Sequence, residues 1–433
     1  MKIAWVTPFG RRSAIGRVSC AVVRELSSRG HEVLIIRSER DRADPSEIHA
    51  SESPVSWWHD VSPREVERAN DLIVLNFGDQ YDFHAGTLSF VKDVICLGVF
   101  HDYYVYGFFN FSLADNIVGG GGYEHEIRLT YGDAVMPLVA EARLGNVSLE
   151  QVADAFPMTE WLGRRCGAAL AHSRFYLHRL ERSCPGPVAV APLCFEGRDV
   201  RPLIARGERP TTVTTIGRIN PNKCVDRLIE AIGSSLRLRA SCRLRIVGAI
   251  TDPERVRLQA LCRQIGLDHV AIVGEVNDAT LINELERADI LSCLRNPVLE
   301  GASASAIEGM KCGRPIIVAD AGFYSELPDD LVCKVPSSVE IRPLAAVLER
   351  LVADESLRQE IGRNARNWAT SNFTTKNYVD VLEDLMNQFV QVKHLLALGG
   401  RLGRQLAMLE MEPDDPAIKK LSGQITEFFL GDL

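Results

Sequence analysis

The feature that most constrains this chain is a rhythm that runs twice: a short apolar run, a turn, then an amphipathic stretch. Ile3–Val6 passes through Pro8-Phe9-Gly10 into a helical stretch, Val18–Ser28, with Val18, Ala21, Val22 and Leu26 on its apolar face. Arg29-Gly30-His31 closes it, and Val33–Ile36 is the next strand. Asp71–Leu75 and Val94–Phe100 are near-continuous apolar runs. Strands of that kind need cover on both faces, which is the condition of a parallel sheet wrapped by helices. A longer helical and irregular stretch is expected over His101 to Trp161, with Ala168–His172 and Val188–Ala191 as the last strands of this half.

Glu196 to Pro210 carries Arg, Gly, Pro and Glu with little apolar content and reads as a linker. The rhythm then restarts with strands Thr212–Ile216, Arg243–Val247, Val270–Val273, Ile290–Cys293 and Pro315–Val318. Helices Val225–Ile232, Pro253–Ile265, Ala279–Arg287 and Ser305–Cys312 lie between them. The expected fold is α/β: two doubly wound, Rossmann-like domains facing across a cleft, at residues 1–200 and 201–374. Residues 375–433 are expected as a helix over Thr375 to Val390 and a tail interrupted by Gly399-Gly400 and Pro413. Leu395, Leu398, Leu402, Leu406 and Leu409 form an apolar stripe in that tail. Docking on the protein's own surface is its default use, with a protein partner or a membrane surface as the others.

Composition narrows the class. With 24% charged and 46% hydrophobic residues in 433, the chain is an ordinary globular protein, not a disordered or collagen-like one. A net charge of −8 argues against broad nucleic-acid binding. The eleven cysteines are scattered without a Cys-x-x-Cys pair, as expected of buried thiols in a cytosolic protein rather than a zinc site. The chain opens directly into a strand and holds no apolar run of membrane-spanning length, so a cytoplasmic location is expected.

Ligands of open α/β sheets sit at the carboxyl ends of strands. After Ile216 comes Gly217-Arg218-Ile219-Asn220-Pro221-Asn222-Lys223, a turn whose two cations can converge on one anion. The plain alternative is a solvated basic turn. After Ile290–Cys293 comes Glu300-Gly301-Ala302-Ser303-Ala304-Ser305-Ala306-Ile307-Glu308, which runs into a helix near Ser305. Small residues admit a ligand to the backbone, free N–H groups at a helix start suit an anion, and the two carboxylates can accept from hydroxyls. Taken alone, Glu308 is an ordinary helix-surface carboxylate.

Together, Glu300, seven intervening residues, Glu308 and the following Gly309-Met310-Lys311-Cys312-Gly313-Arg314-Pro315 resemble the signature of retaining glycosyltransferases of family 4. That family has the two-domain GT-B fold, and the resemblance covers residues 1–385. It implies phosphate binding by Gly217, Arg218 and Lys223, and a glycine turn beside the donor at Gly248. It implies a base-binding segment through Val276, and donor contacts from Glu300, Gly301, Ala302, Ser303, Ala304 and Glu308. Gly16 sits where the family has its glycine-rich donor loop, here Ser13-Ala14-Ile15-Gly16, while Arg11 and Arg12 read as solvated. His101, after a strand, matches the family's active-site histidine, and His172-Ser173 its frequent His-Ser step. Two departures stand out: no Gly-Gly pair near residue 13, and Glu300-Gly301-Ala302-Ser303 in place of Glu-Gly-Phe-Gly.

The implied reaction is transfer of a hexose from a nucleotide diphosphate sugar to a hydroxyl with retention. His101, Arg218, Lys223 and Glu300 are the catalytic set, and neither a metal nor a cofactor is expected. The resemblance points to a glycan or polyprenyl-linked glycan acceptor of bacterial surface-polysaccharide synthesis, taken up by the N-terminal half. There Tyr104, Tyr106, Phe108, Phe109, Phe111, Tyr123, Tyr131 and the run Gly119–Gly122 could stack on sugars or move as a lid. A sugar-nucleotide epimerase and a catalytically silent partner subunit are the competing readings.

Overall fold

The computed structural model describes residues 1–42, 47–114, 122–201, 209–409 and 415–421. The first half is built on seven strands: β1 (Lys2–Thr7), β2 (Glu32–Arg37), β3 (Val55–Trp57), β4 (Leu72–Phe77), β5 (Leu97–Phe100), β6 (Ala168–Ala171) and β7 (Val188–Val190). They pair in the order β3-β2-β1-β4-β5-β6-β7, and every pairing is parallel. The second half has β8 (Thr211–Ile216), β9 (Cys242–Val247), β10 (Val270–Gly274), β11 (Ile290–Ser292), β12 (Ile316–Ala319) and β13 (Cys333–Val335). Their order is β10-β9-β8-β11-β12-β13, again all parallel.

Each order reverses direction once, between β1 and β4 and between β8 and β11. At such a switch point the connections leave to opposite faces and open a crevice beyond the strand ends. Both crevices open on the same cleft. Helices cover the buried faces as the apolar spacing requires. Ala14–Ser28 buries Val18, Val22 and Leu26, and Ser13 caps its start by accepting from the Gly16 N–H at 3.1 Å.

The last helix departs from the sequence expectation. It runs from Thr375 to Met408, straight through Gly399-Gly400. Each glycine costs ~1 kcal/mol against alanine in a helix interior, too little to break one already anchored by its first turns. Tyr378, Val379, Leu382, Leu385, Met386 and Phe389 are buried in one core with Ile3, Trp5, Val22 and Leu26. A Cβ on Gly167, at the edge of β6, would stand 2.5 Å from the Phe389 ring. Arg29 bonds Asp380 at 2.8 Å and Glu383 at 2.6 Å, and His31 bonds Glu383 at 2.8 Å. The helix therefore returns to the first half of the chain.

Of the leucine stripe, Leu398 and Leu409 are exposed, whereas Leu395, Leu402 and Leu406 are partly covered. The short strands β3 and β13 were not expected, since Val55-Ser56-Trp57 and Cys333-Lys334-Val335 each interrupt their apolar residues with a polar one and form no continuous run. Gly119–Gly121, Pro413 and linker residues 202–208 lie outside the described residues. Ten of the eleven cysteines are buried, and all eleven are free. Among the described residues, no helix is long and apolar enough to cross a membrane.

Candidate active site

The cleft between the two switch points measures about 420 Å³. From the second half it is lined by Gly217, Arg218, Lys223, Arg295, Glu300 and the run Ala302–Ser305. From the first half come Ala14, Ile15, Asp79, His101, Asp102 and Tyr104.

The cationic wall follows from two glycines. Gly217 has φ +87°, and a Cβ there would lie 3.0 Å from the Lys223 Nζ. Gly248 has φ +144°, and a Cβ there would fall 2.0 Å from the Gly217 carbonyl oxygen, so no other residue fits. Gly248 thus shapes the turn from behind and does not line the cleft. Lys223 is buried, and its ammonium donates to the Ile216 carbonyl. Burial, with the Arg295 charge adding to it, pulls its pKa down to about 7. Arg218 is exposed in the cleft and has no hydrogen bond or ion pair with a described residue.

Glu300 sits in a loop held from both halves. The Leu299 carbonyl accepts from the Tyr103 and Tyr104 N–H groups, each at 3.0 Å. The Gly301 N–H donates to the His101 carbonyl at 2.8 Å, and Ser173 Oγ donates to the Gly301 carbonyl. The Gly301 N–H is therefore spent on the protein, contrary to the expectation that it would face a phosphate. The N–H groups of Ala302, Ser303, Ala304 and Ser305 donate to no described residue. They stand at the start of the helix Ala304–Lys311, capped by Ser303 through the Ala306 N–H at 3.3 Å. Free N–H groups and the positive end of a helix make a place for an anion.

Besides Gly248 and Gly301, three further expected site residues, Glu308, Val276 and Gly16, lie away from the cleft lining. Glu308 is buried, and both its oxygens are taken by Arg198: the backbone N–H bonds Oε1 at 2.8 Å, and the guanidinium bonds Oε2. A ribose diol could reach Glu308 only by exchange with Arg198. The same guanidinium bonds Asp278 at 2.6 Å, which Arg17 of the first half also meets at 3.3 Å. Val276 is partly buried against the core instead of lining the cleft. Gly16 is buried against the carbonyls of Pro8 and Gly10, leaving Ala14 and Ile15 to line the cleft.

His101 lines the cleft, but both its ring nitrogens are engaged inside the protein. Nε2 lies 2.9 Å from Asn76 Oδ1, and Nδ1 lies 3.1 Å from His172 Nε2. Burial, with His172 and His84 adding like charge, holds the ring neutral well below the usual imidazole value. A substrate bond to this ring also requires exchange.

Two acids on this wall escaped the sequence reading. Asp79 follows β4 and accepts from the Phe108 N–H at 3.1 Å; Asp102 follows β5 and accepts from the Asp79 N–H at 2.8 Å. Burial raises Asp79 to about 6 and Asp102 to about 7. Arg295, just beyond β11, was missed as well. All three obey the rule that pointed to Lys223, a charged residue at the carboxyl end of a strand, and the rule applied evenly would have found them. Among the described residues, no group of three His, Cys, Asp or Glu side chains is placed to hold a metal ion.

Residues 199–368 match the family model described as "Glycosyl transferases group 1". The second half therefore carries a glycosyltransferase group 1 domain. The whole fold is that of GT-B glycosyltransferases. Sucrose-phosphate synthase from Thermosynechococcus elongatus superposes with TM-score 0.59 at 17% identity, covering 92% of this chain and 100% of that one. HepE from Anabaena, solved in complex with UDP, superposes with TM-score 0.59 at 16% identity, covering 89% and 100%. A glycosyltransferase from Rickettsia africae gives 0.60 at 14% identity, covering 90% and 98%. At these identities the likeness is one of fold. No curated protein matches the chain.

Proposed function

We propose that this protein is a retaining glycosyltransferase that moves a hexose from a nucleotide diphosphate sugar to an acceptor hydroxyl without a metal ion. The observation that carries the reading is the convergence of Arg218, Lys223 and the unpartnered N–H groups of Ala302–Ser305 on one cleft, with Glu300 beside them. Departure of a diphosphate builds negative charge, and donors already aimed at that charge are each worth ~10²–10³ in rate. Lys223 and the helix start supply them without reorganisation, and Arg218 supplies a further mobile charge. Glu300 accepts from a hydroxyl of the transferred sugar. The acceptor hydroxyl enters from the first half, past Asp79, Asp102 and Tyr104. The leaving diphosphate takes the acceptor's proton, so attack comes on the face the leaving group vacates. A surface-polysaccharide glycan, free or polyprenyl-linked, is the proposed acceptor class, met at the cytoplasmic side of the membrane.

The test is direct. The purified chain is incubated with the glucose, galactose, mannose and N-acetylglucosamine conjugates of UDP, GDP and ADP, with EDTA present, and nucleotide release is followed with and without glycan acceptors. UDP conjugates come first, because HepE was solved with UDP. Release of nucleoside diphosphate with a new α-linked product supports the reading. Epimerised donor, or no turnover with any donor, overturns it.

A further inference from the structure

The side chain of Glu300 is tied by one oxygen only. Oε1 forms an ion pair with the Arg295 Nε at 2.9 Å and accepts from the Tyr324 hydroxyl at 2.7 Å. Oε2 accepts no hydrogen bond from a described residue. Both groups that hold Oε1 are themselves fixed. Tyr324 is fully buried, and burial lifts its phenol far above its usual value, so it stays a donor. Arg295 is buried and lines the cleft, and its Nη1 donates to the Leu294 carbonyl at 2.8 Å. Burial opposes its charge, and Glu300, Tyr324 and the Cys293 and Cys224 thiols together more than restore it. The backbone on either side of Glu300 is pinned to the first half through Leu299 and Gly301.

We infer that Arg295 and Tyr324 are positioning residues that lock Glu300 through Oε1 and present Oε2 alone to a hydroxyl of the sugar being transferred. The inference rests on the donor-binding reading above and adds to it which atoms recognise the sugar. A free carboxylate rotates and exchanges its two oxygens. This one is held on one side by an ion pair to a guanidinium and a hydrogen bond from a phenol, so the remaining oxygen holds one direction. Such a site asks for a sugar with a hydroxyl in that direction. It gains nothing from the nucleotide, which lies on the Lys223 side.

The experiment compares two affinities in each protein. The nucleoside diphosphate that binds the wild type most tightly among UDP, GDP and ADP is measured by calorimetry, then its glucose, galactose, mannose and N-acetylglucosamine conjugates. Tyr324→Phe keeps the ring and removes the bond. It is expected to weaken the preferred nucleotide sugar about tenfold while leaving the nucleoside diphosphate within about twofold. Arg295→Lys, which keeps the charge, is expected to retain more of the sugar-specific affinity than Arg295→Gln. A selective loss for the sugar conjugate supports the inference even if Arg295→Gln fails to fold, because Tyr324→Phe carries it alone. Equal loss for nucleotide and conjugate, or no loss for either, overturns the inference and leaves the donor reading standing. Failure of the wild type to bind any of the three nucleotides overturns that reading, and this inference with it.

Discussion

His172 Nε2 stands 3.1 Å from His101 Nδ1, with the ring centroids 4.7 Å apart. The pair continues at each end to an oxygen, Asn76 Oδ1 at 2.9 Å and the Ala191 carbonyl at 3.3 Å. The Asn76 amide nitrogen donates to the Val6 carbonyl at 3.1 Å, which fixes Oδ1 toward His101. Three gaps thus need a proton each, and two neutral imidazoles supply only two. Burial lowers His172 to about 4, so neutrality holds at ordinary pH. A folded pKa below the unfolded value gives stability that is full above about 6.5 and lost as pH falls toward 4. His172→Phe should cost ~1–3 kcal/mol at pH 7 by orphaning a buried nitrogen. Denaturant unfolding should show that deficit shrinking at pH 5; a constant deficit would contradict the neutral pair.

Asp102 behaves in the opposite sense. Burial raises its carboxyl to about 7, so its contribution is full below about 4 and lost as pH rises through 7. Asp102→Asn keeps an oxygen for the Asp79 N–H and removes the charge. The variant should melt above the wild type at pH 8, and the gap should close by pH 4.

Lys223 sets function against stability. Its folded pKa of about 7 lies below the ordinary lysine value, so stability is full above about 10.5 and lost as pH falls toward 7. Lys223→Met should therefore raise the melting temperature of the ligand-free protein at pH 7 and flatten its rise toward pH 10. The same change should lower transfer by ~10²-fold or more, through loss of a preorganised donor. A variant that transfers normally would remove Lys223 from the site.

Arg198 and Glu308 form a pair in which the carboxylate is 2% exposed. Arg198→Ala leaves that charge buried without its cation, at a cost of ~3–5 kcal/mol. Adding Glu308→Gln should recover most of it, so the double variant should be markedly more stable than Arg198→Ala. Unfolding measured on the four proteins of the cycle gives the coupling.

Much of the fold was legible in the sequence because its strands are long enough to carry a pattern. The parallel runs at β1, β4, β8 and β9 appear within a residue or two of their expected limits. The last helix was cut short in the reading because Gly399-Gly400 is a local signal, whereas residues such as Tyr378 and Phe389 hold the helix through contacts with residues more than 200 positions away. Within the site, Arg218, Lys223, Glu300 and His101 were visible as polar residues after strands, and the structure brings all four to one cleft. What the sequence could not show is who already holds each of them. Arg198 on Glu308, Tyr324 on Glu300 and Asn76 on His101 are tertiary meetings with no spacing rule.

The return of the last helix also sets an order of assembly. Tyr378 to Phe389 are synthesised after all thirteen strands, yet they fill the face of the first sheet beside Trp5 and Gly167. While the chain is still emerging from the ribosome, that face is uncovered however well the strands have paired. The part made first is thus completed last, and a chain released before residue 375 would carry a bare apolar surface in place of its closing helix.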